Sequence, residues 1–348
     1  AGGWARFDAG GKRLDASGAI EEELVYVVET NRSTLELLRP SQFDQRVLAA
    51  RGAAAQSVPM APAPAPPTAP SPTPAERSEE RLAMVKLGQV ADASLKEISG
   101  LVRCATRERA LWMHNDSGEP LLALVGYDGT TLARYKVEGA TIYDWEDMAA
   151  FHKGGQNYLL IGDIGDNKAN RETLQQYLKL LVLKEPDVAA LPAGDVTLPV
   201  ERTISFRYED GQHDCEALAV DVERNSALLL TKELDVECSL FEAPLSAASD
   251  EPVVAKRIAR LSLPLVTAVD ISPDGRRLVV LGGVHALEYV RSDGENWTEA
   301  LARAPRRYAL PPLAQPEAIG YDRKGKALVV TSEGEHPPLW ELKLPAGE

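Results

Sequence analysis

Glu97, Glu146, Glu216 and Glu317 each open a short apolar run, in EISGLV, EDMAAF, EALAVD and EAIGYD. An aspartate stands two places earlier in Asp144-Trp-Glu146 and in Asp214-Cys-Glu216. Residues i and i+2 of a strand share a face, so each Asp–Glu pair would project together. Two carboxylates about 5 Å apart repel by roughly 3 kcal/mol at an effective dielectric near 20. A ring of such groups keeps its charge only beside cations, and otherwise takes up protons. Oxygen donors with no Cys or His at zinc-like spacing favour a hard ion, Ca²⁺ before Mg²⁺ or Mn²⁺. The expected ligands are Glu97, Asp144, Glu146, Asp214, Glu216 and Glu317. The competing reading is structural, with each Glu capping backbone amides or pairing with Arg between neighbouring units.

A second set of polar groups ends other apolar runs: His114-Asn115-Asp116, the GDIGDN run at 162–167, Thr231-Lys232-Glu233 and Thr331-Ser332-Glu333. Asp116, Asp163, Lys232, Glu233 and Glu333 are the expected rim or substrate contacts. His114 and His213 adjoin acidic positions. An unperturbed histidine titrates near neutrality, which makes both candidate catalytic bases; a hydrogen-bonded structural role is the plainer alternative. GDIGDN lacks the EF-hand pattern of ligands, so its acids are expected to cap their own turn. Lys232 and Arg171 could meet an anionic group such as a phosphate. No GxSxG elbow, P-loop, HExxH or dinucleotide fingerprint is present, which argues against serine-triad hydrolysis, nucleotide use and zincin chemistry.

The elements that must hold these residues repeat. Thr267–Val280 aligns without a gap on Glu317–Val330, and one inserted residue brings in Glu216–Leu230. Looser copies start at Glu97 and Glu146, so the anchors 97, 146, 216, 267 and 317 are spaced by 49, 70, 51 and 50 residues. A period near 50 with several β-runs per unit predicts an all-β propeller. After Glu216 the expected strands are Ala217–Val222, Ala227–Thr231, Ser239–Ala243 and Val253–Leu261. The last unit has room for three, so residues 84–95 are expected to supply the fourth and remove an open sheet edge. That arithmetic predicts five blades. Six is the alternative, because the second unit has residues to spare around Glu185–Pro199, expected to be loop. The fourth unit, with Thr267, Asp270 and Leu281-Gly-Gly283, departs from the acidic pattern.

Eight of the 24 prolines fall between Pro59 and Pro74. Such a tract favours extended polyproline II and reads as a linker at 53–81, between an N-terminal extension, 1–52, and the propeller, 82–348. The extension shows one expected helix, around Ser33–Leu48, and one apolar run, Leu24–Val28. The 348 residues carry 38 Lys and Arg against 52 Asp and Glu, a formal charge of −14. A surface that negative repels phosphate backbones and argues against nucleic-acid binding. No run approaches the roughly 18–20 apolar residues of a membrane-spanning helix. Cys104, Cys215 and Cys238 are too few for a disulfide scaffold; one Cys215–Cys238 bridge or three buried thiols are the alternatives.

The segments EISGL, HDCEALAVDVERNSALLLTKELDVECSLFEAPL and QPEAIGYDRKGKALVVTSEG resemble bacterial propellers of the esterase-like phytase and SdiA-regulated kinds. IYDWEDMAAF and YLLIGDIGDN are similar to uncharacterised bacterial propeller proteins carrying the same pair. The resemblance spans about residues 84–345. More distantly, gluconolactonase- and paraoxonase-type propellers imply a Ca²⁺ in the central tunnel, although the fourth unit and the lack of anchor Asn depart from them. Two functions follow as expectations. One is a metal-dependent hydrolase of esters, lactones or phosphoesters, acting on a small anionic or ester-type ligand. The other is a non-catalytic propeller binding a protein, peptide or glycan at its rim. A monomer is expected, and the linker suggests a periplasmic or secreted protein.

Overall fold

A computed structural model describes residues 79–345, apart from 168–170, 172, 175, 176, 234–236, 247–250, 264 and 284, together with four short strands nearer the N-terminus. The chain divides into two compact units, Ala1–Thr73 and Pro74–Glu348. In the first, β1 (Trp4–Phe7) pairs antiparallel with β2 (Arg13–Ser17), and β3 (Tyr26–Glu29) with β4 (Leu35–Leu38). The helix expected at Ser33–Leu48 is therefore wrong over 35–38. The apolar run beginning at Leu24 supplies β3 as a partner strand, and Tyr26 stands opposite Leu38. Residues 39–48 of that expected helix, and all but the last three of the expected linker, lie outside the described residues.

The second unit is built from antiparallel meanders. The first comprises β6 (Ile98–Arg103), β7 (Ala110–Asn115), β8 (Leu121–Gly126) and β9 (Thr131–Glu138). The second comprises β10 (Trp145–Lys153), β11 (Gln156–Asp163), β12 (Leu178–Lys184) and β14 (Arg202–Tyr208). In the third stand β15 (Cys215–Asp221), β16 (Ser226–Thr231), β17 (Cys238–Pro244) and β18 (Val253–Leu261). The fourth has β19 (Val266–Ile271), β20 (Arg277–Gly282), β21 (His285–Val290) and β22 (Arg306–Ala309), with the short helix α1 (Trp297–Leu301) before its last strand. Finally β23 (Pro316–Tyr321), β24 (Ala327–Ser332) and β25 (Pro338–Lys343) are joined by β5 (Ala83–Gln89), which pairs antiparallel with β25.

The first strand of each meander packs beside the first strand of the next, and β23 returns to β6, so these strands close a ring. The architecture is all-β and propeller-like. Apolar residues on both faces of the strands build the layers between meanders: Trp112, Trp145 and Leu181 in one, Leu180, Phe206 and Phe241 in another. The segment expected as loop around Glu185–Pro199 contributes β13 (Val196–Pro199), a fifth strand lying parallel to β9. The outer strands β14 and β18 also pair in parallel and merge two meanders into one eight-stranded sheet. All three cysteines are buried and free, so no Cys215–Cys238 bridge forms. Among the described residues, no helix is long and apolar enough to cross a membrane.

Below the mouth, three side chains tie the first strands together. Asp147 Oδ2 accepts from the backbone N–H of Leu218 on β15, at 3.0 Å, and of Val269 on β19, at 2.9 Å. Asp270 Oδ2 accepts from Tyr321 N on β23 at 2.8 Å and pairs with the Arg103 guanidinium of β6 at 3.2 Å. Arg103 in turn donates to Ala150 O on β10 at 3.0 Å. Burial raises both carboxyls toward the neutral form, and polar groups so buried are tolerated only when paired or hydrogen-bonded.

Candidate cation site at the mouth of the ring

Each first strand begins with a β-bulge, which leaves one or two residues without a cross-strand partner and re-aims their side chains. The register skips Ser99 between Ile98 and Gly100, Glu146 and Asp147 between Trp145 and Met148, Glu216 between Cys215 and Ala217, Thr267 between Val266 and Ala268, and Glu317 between Pro316 and Ala318. Two residues ahead of the bulge, carbonyls of Glu97, Asp144, Asp214, Leu265 and Gln315 accept from the N–H of Asp116, Ile164, Lys232, Gly283 and Glu333, at 3.0–3.2 Å. The mouth thus has three sets of equivalent positions: the lead-in residues, the bulge residues, and those just past the second strands.

This register corrects the sequence alignment at its first repeat. Glu97 is equivalent to Asp144 and Asp214, and the position matching Glu146, Glu216 and Glu317 is held by Ser99. Its hydroxyl donates to Glu146 Oε2 at 2.9 Å. Glu97 Oε2 instead accepts from Ser117 Oγ at 2.9 Å. The fourth meander offers only Leu265, Thr267 and Gly283, an uncharged sector.

The expected ligands Asp144 and Glu146 do meet. Both pack over Gly165, where a Cβ would come 2.3 Å from Glu146 Oε1 and 2.6 Å from Asp144 Oδ2. Asp214 Oδ1 accepts from Asp166 N at 2.8 Å, and Gln315 Nε2 bridges Glu317 Oε1 at 3.1 Å and Glu333 Oε2 at 2.8 Å. Lys232 Nζ lies 3.3 Å from Glu216 Oε2. Its ammonium is held in the charged form, well above the ordinary lysine range, by Glu216, Glu317 and Glu146, against the cost of its own burial.

Charge accumulates here. Burial raises the Asp144 carboxyl to about 7, opposed by Arg171 and reinforced by Glu216, Asp214 and Asp116. Burial with Glu216 and Asp144 lifts Glu146 well above the carboxylate range. Burial likewise carries Asp214 to about 6 with Glu216 alongside, and Glu333 to about 7 with Asp116 near it. Glu317 is pushed to about 7 by burial, opposed by Lys232. Asp116 is raised by burial, Glu97 and Glu216, against a Ser117 hydrogen bond, and its Oδ1 is buried without a hydrogen-bond partner among the described residues.

Other expected site residues lie elsewhere. Asp163 is fully buried behind the mouth, bound by Arg171 Nη2 at 2.7 Å and by Asp144 N at 3.1 Å, so this acid of GDIGDN braces the lead-in to β10 rather than reaching a substrate. Glu233 takes the hydroxyls of Thr231 at 2.9 Å and Ser239 at 3.3 Å. His114 has no solvent face. Its Nδ1 lies 3.0 Å from Asn115 O, its ring meets the Trp145 edge, and burial pushes it down to about 4. His213 packs on Tyr208 and Phe241 and bonds Asp210 at 2.9 Å. Neither histidine makes a described contact with the mouth carboxylates; His213's acid partner is Asp210. The sequence reading overlooked Asp147; its only signal was the second acid of Glu146-Asp147, in a bulge no periodicity announces.

No family model and no curated protein matches the chain. Among solved structures, glutaminyl cyclase from Myxococcus xanthus aligns with a TM-score of 0.45 at 10% identity, covering 77% of this chain and 100% of that one.

Proposed function

We propose that this chain is a five-bladed β-propeller whose mouth binds a cation, Ca²⁺ by donor chemistry, as the centre of a hydrolase for esters, lactones or phosphoesters. One arrangement supports the cation most directly: Glu317 and Glu333, both raised to about 7, share the Gln315 amide beside the Lys232 ammonium, while Asp144 is raised to about 7 beside Arg171. A cluster so short of positive charge holds protons or recruits a cation.

The residues fit a hard ion in donor type. Every candidate ligand is a carboxylate, and Asp116 Oδ1 has no hydrogen-bond partner among the described residues. Among the described residues, no three such side chains already surround one ion position. Asp144, Glu146, Asp214, Glu216 and Glu317 would hold the ion. When bound, it would supply Lewis-acid polarisation of the ester or phosphoester oxygen. Carried to about 7 and outside that ligand set, Glu333 suits a general base better than His114, which is buried and neutral. The resemblance to esterase-like phytase and SdiA-regulated propellers agrees with this reading, and the proline-rich tract suits display in the periplasm or outside the cell.

The rim-binding alternative has its own observation: Tyr143 and Tyr177 are 36% and 56% exposed beside Arg171, whose guanidinium lies 4.5 Å from the Tyr143 ring centre. A screen of ester, lactone and phosphoester turnover, run with Ca²⁺ and with EDTA, separates the two. Ca²⁺-dependent turnover lost in Glu216→Gln supports the hydrolase. Ca²⁺ binding without turnover of any class favours the rim.

A further inference from the structure

The position just past the second strand carries Asp116, Ile164, Gly283 and Glu333 in four meanders and Lys232 in the third, each tied by the same backbone bond to the lead-in of its own first strand. The lysine is thus the one cation in that set of equivalent positions. Its backbone N–H is fixed to Asp214 O at 3.0 Å, and its side chain reaches Glu216 Oε2 at 3.3 Å. Glu216 is 9% exposed in its side chain, Lys232 27%, so the anion is buried while the lysine stem keeps a path to solvent.

We infer that Lys232 is a tethered counter-ion, occupying the carboxylate cluster in the cation-free protein and setting how tightly a free cation binds there. This rests on the cation-site reading above and adds a residue that opposes the ligand. A lysine ammonium is a compact point charge on a flexible four-carbon stem, able to neutralise a carboxylate and then withdraw. Tethering gives it a high effective concentration at the cluster, so an incoming ion must displace it before engaging Glu216. The ammonium carries one charge where Glu216, Glu317 and Glu146 all act on it, so a divalent ion can compete for the same acids.

The test is calorimetric titration of Ca²⁺ into chelator-stripped wild type, Lys232→Met, Lys232→Gln and Lys232→Arg at one pH and ionic strength, with circular dichroism confirming the fold of each. Removing the ammonium should tighten Ca²⁺ binding by at least about tenfold in both neutral variants. Lys232→Arg should stay close to wild type. Equal or weaker Ca²⁺ binding by the folded neutral variants, with binding retained by the wild type, overturns the inference and leaves the cation site standing. Absence of Ca²⁺ binding in all four proteins overturns the cation-site reading itself. Lys232→Gln serves where the Met variant fails to fold.

Discussion

Glu146 and Asp147 are chain neighbours that leave one bulge with different tasks. Glu146 joins Asp144 and Ser99 at the mouth, whereas Asp147 holds backbone N–H groups of β15 and β19. Their substitutions should separate. Asp147→Ala leaves buried amides at Leu218 and Val269 without an acceptor and should cost roughly 2–4 kcal/mol of stability in urea unfolding. Glu146→Gln keeps an acceptor for Ser99 and resembles the protonated carboxyl that burial, Glu216 and Asp144 favour, so it should unfold no more easily than wild type at neutral pH while losing Ca²⁺ affinity. The DWED run showed which acids to examine. It did not show this division, because regular strand alternation places residues 144 and 146 on one face and 147 on the other, and only the bulge sends Asp147 toward the axis. Burial was equally illegible for His114, whose ring meets the edge of Trp145 in the next meander.

At the scale of elements, the repeat was readable because each unit alternates apolar runs with turn residues; the expected strand Val253–Leu261 matches β18 to the residue. Register was less so. EISGLV matched the other anchors by its glutamate, yet the register of Ile98 opposite Asn115 and Gly100 opposite His114 places Ser99 at the bulge. Gly165 illustrates a requirement visible only in three dimensions, since its missing side chain makes room for the carboxyls of Asp144, in the lead-in to β10, and Glu146, in its bulge. Gly165→Ala should displace Asp144 and Glu146 and weaken Ca²⁺ binding by about tenfold, as read by titration. Its effect on melting temperature should be small, because the clash falls on mouth side chains and not on the apolar layers.

For the whole molecule, ring closure by β5 and β25 followed from counting strands, because a unit one strand short needs a partner from the other end. The parallel join of β14 to β18 had no sequence signal, since it depends on how outer strands meet after the meanders form. Closing the ring gathers acids from distant repeats, which couples folding to protons. Asp144, Glu317 and Glu333 near 7 and Asp214 near 6 lie above the roughly 4 expected of an unfolded carboxyl. The folded chain therefore binds more protons than the unfolded one between about pH 4 and 7, and its stability falls as pH rises through that window. The most direct measurement is the melting temperature of the chain from pH 5 to pH 8, in EDTA and again in Ca²⁺. The cation site predicts a falling melting temperature toward pH 8 in EDTA and its recovery in Ca²⁺, with the largest gain at the highest pH. Superimposable curves with and without Ca²⁺ would contradict it.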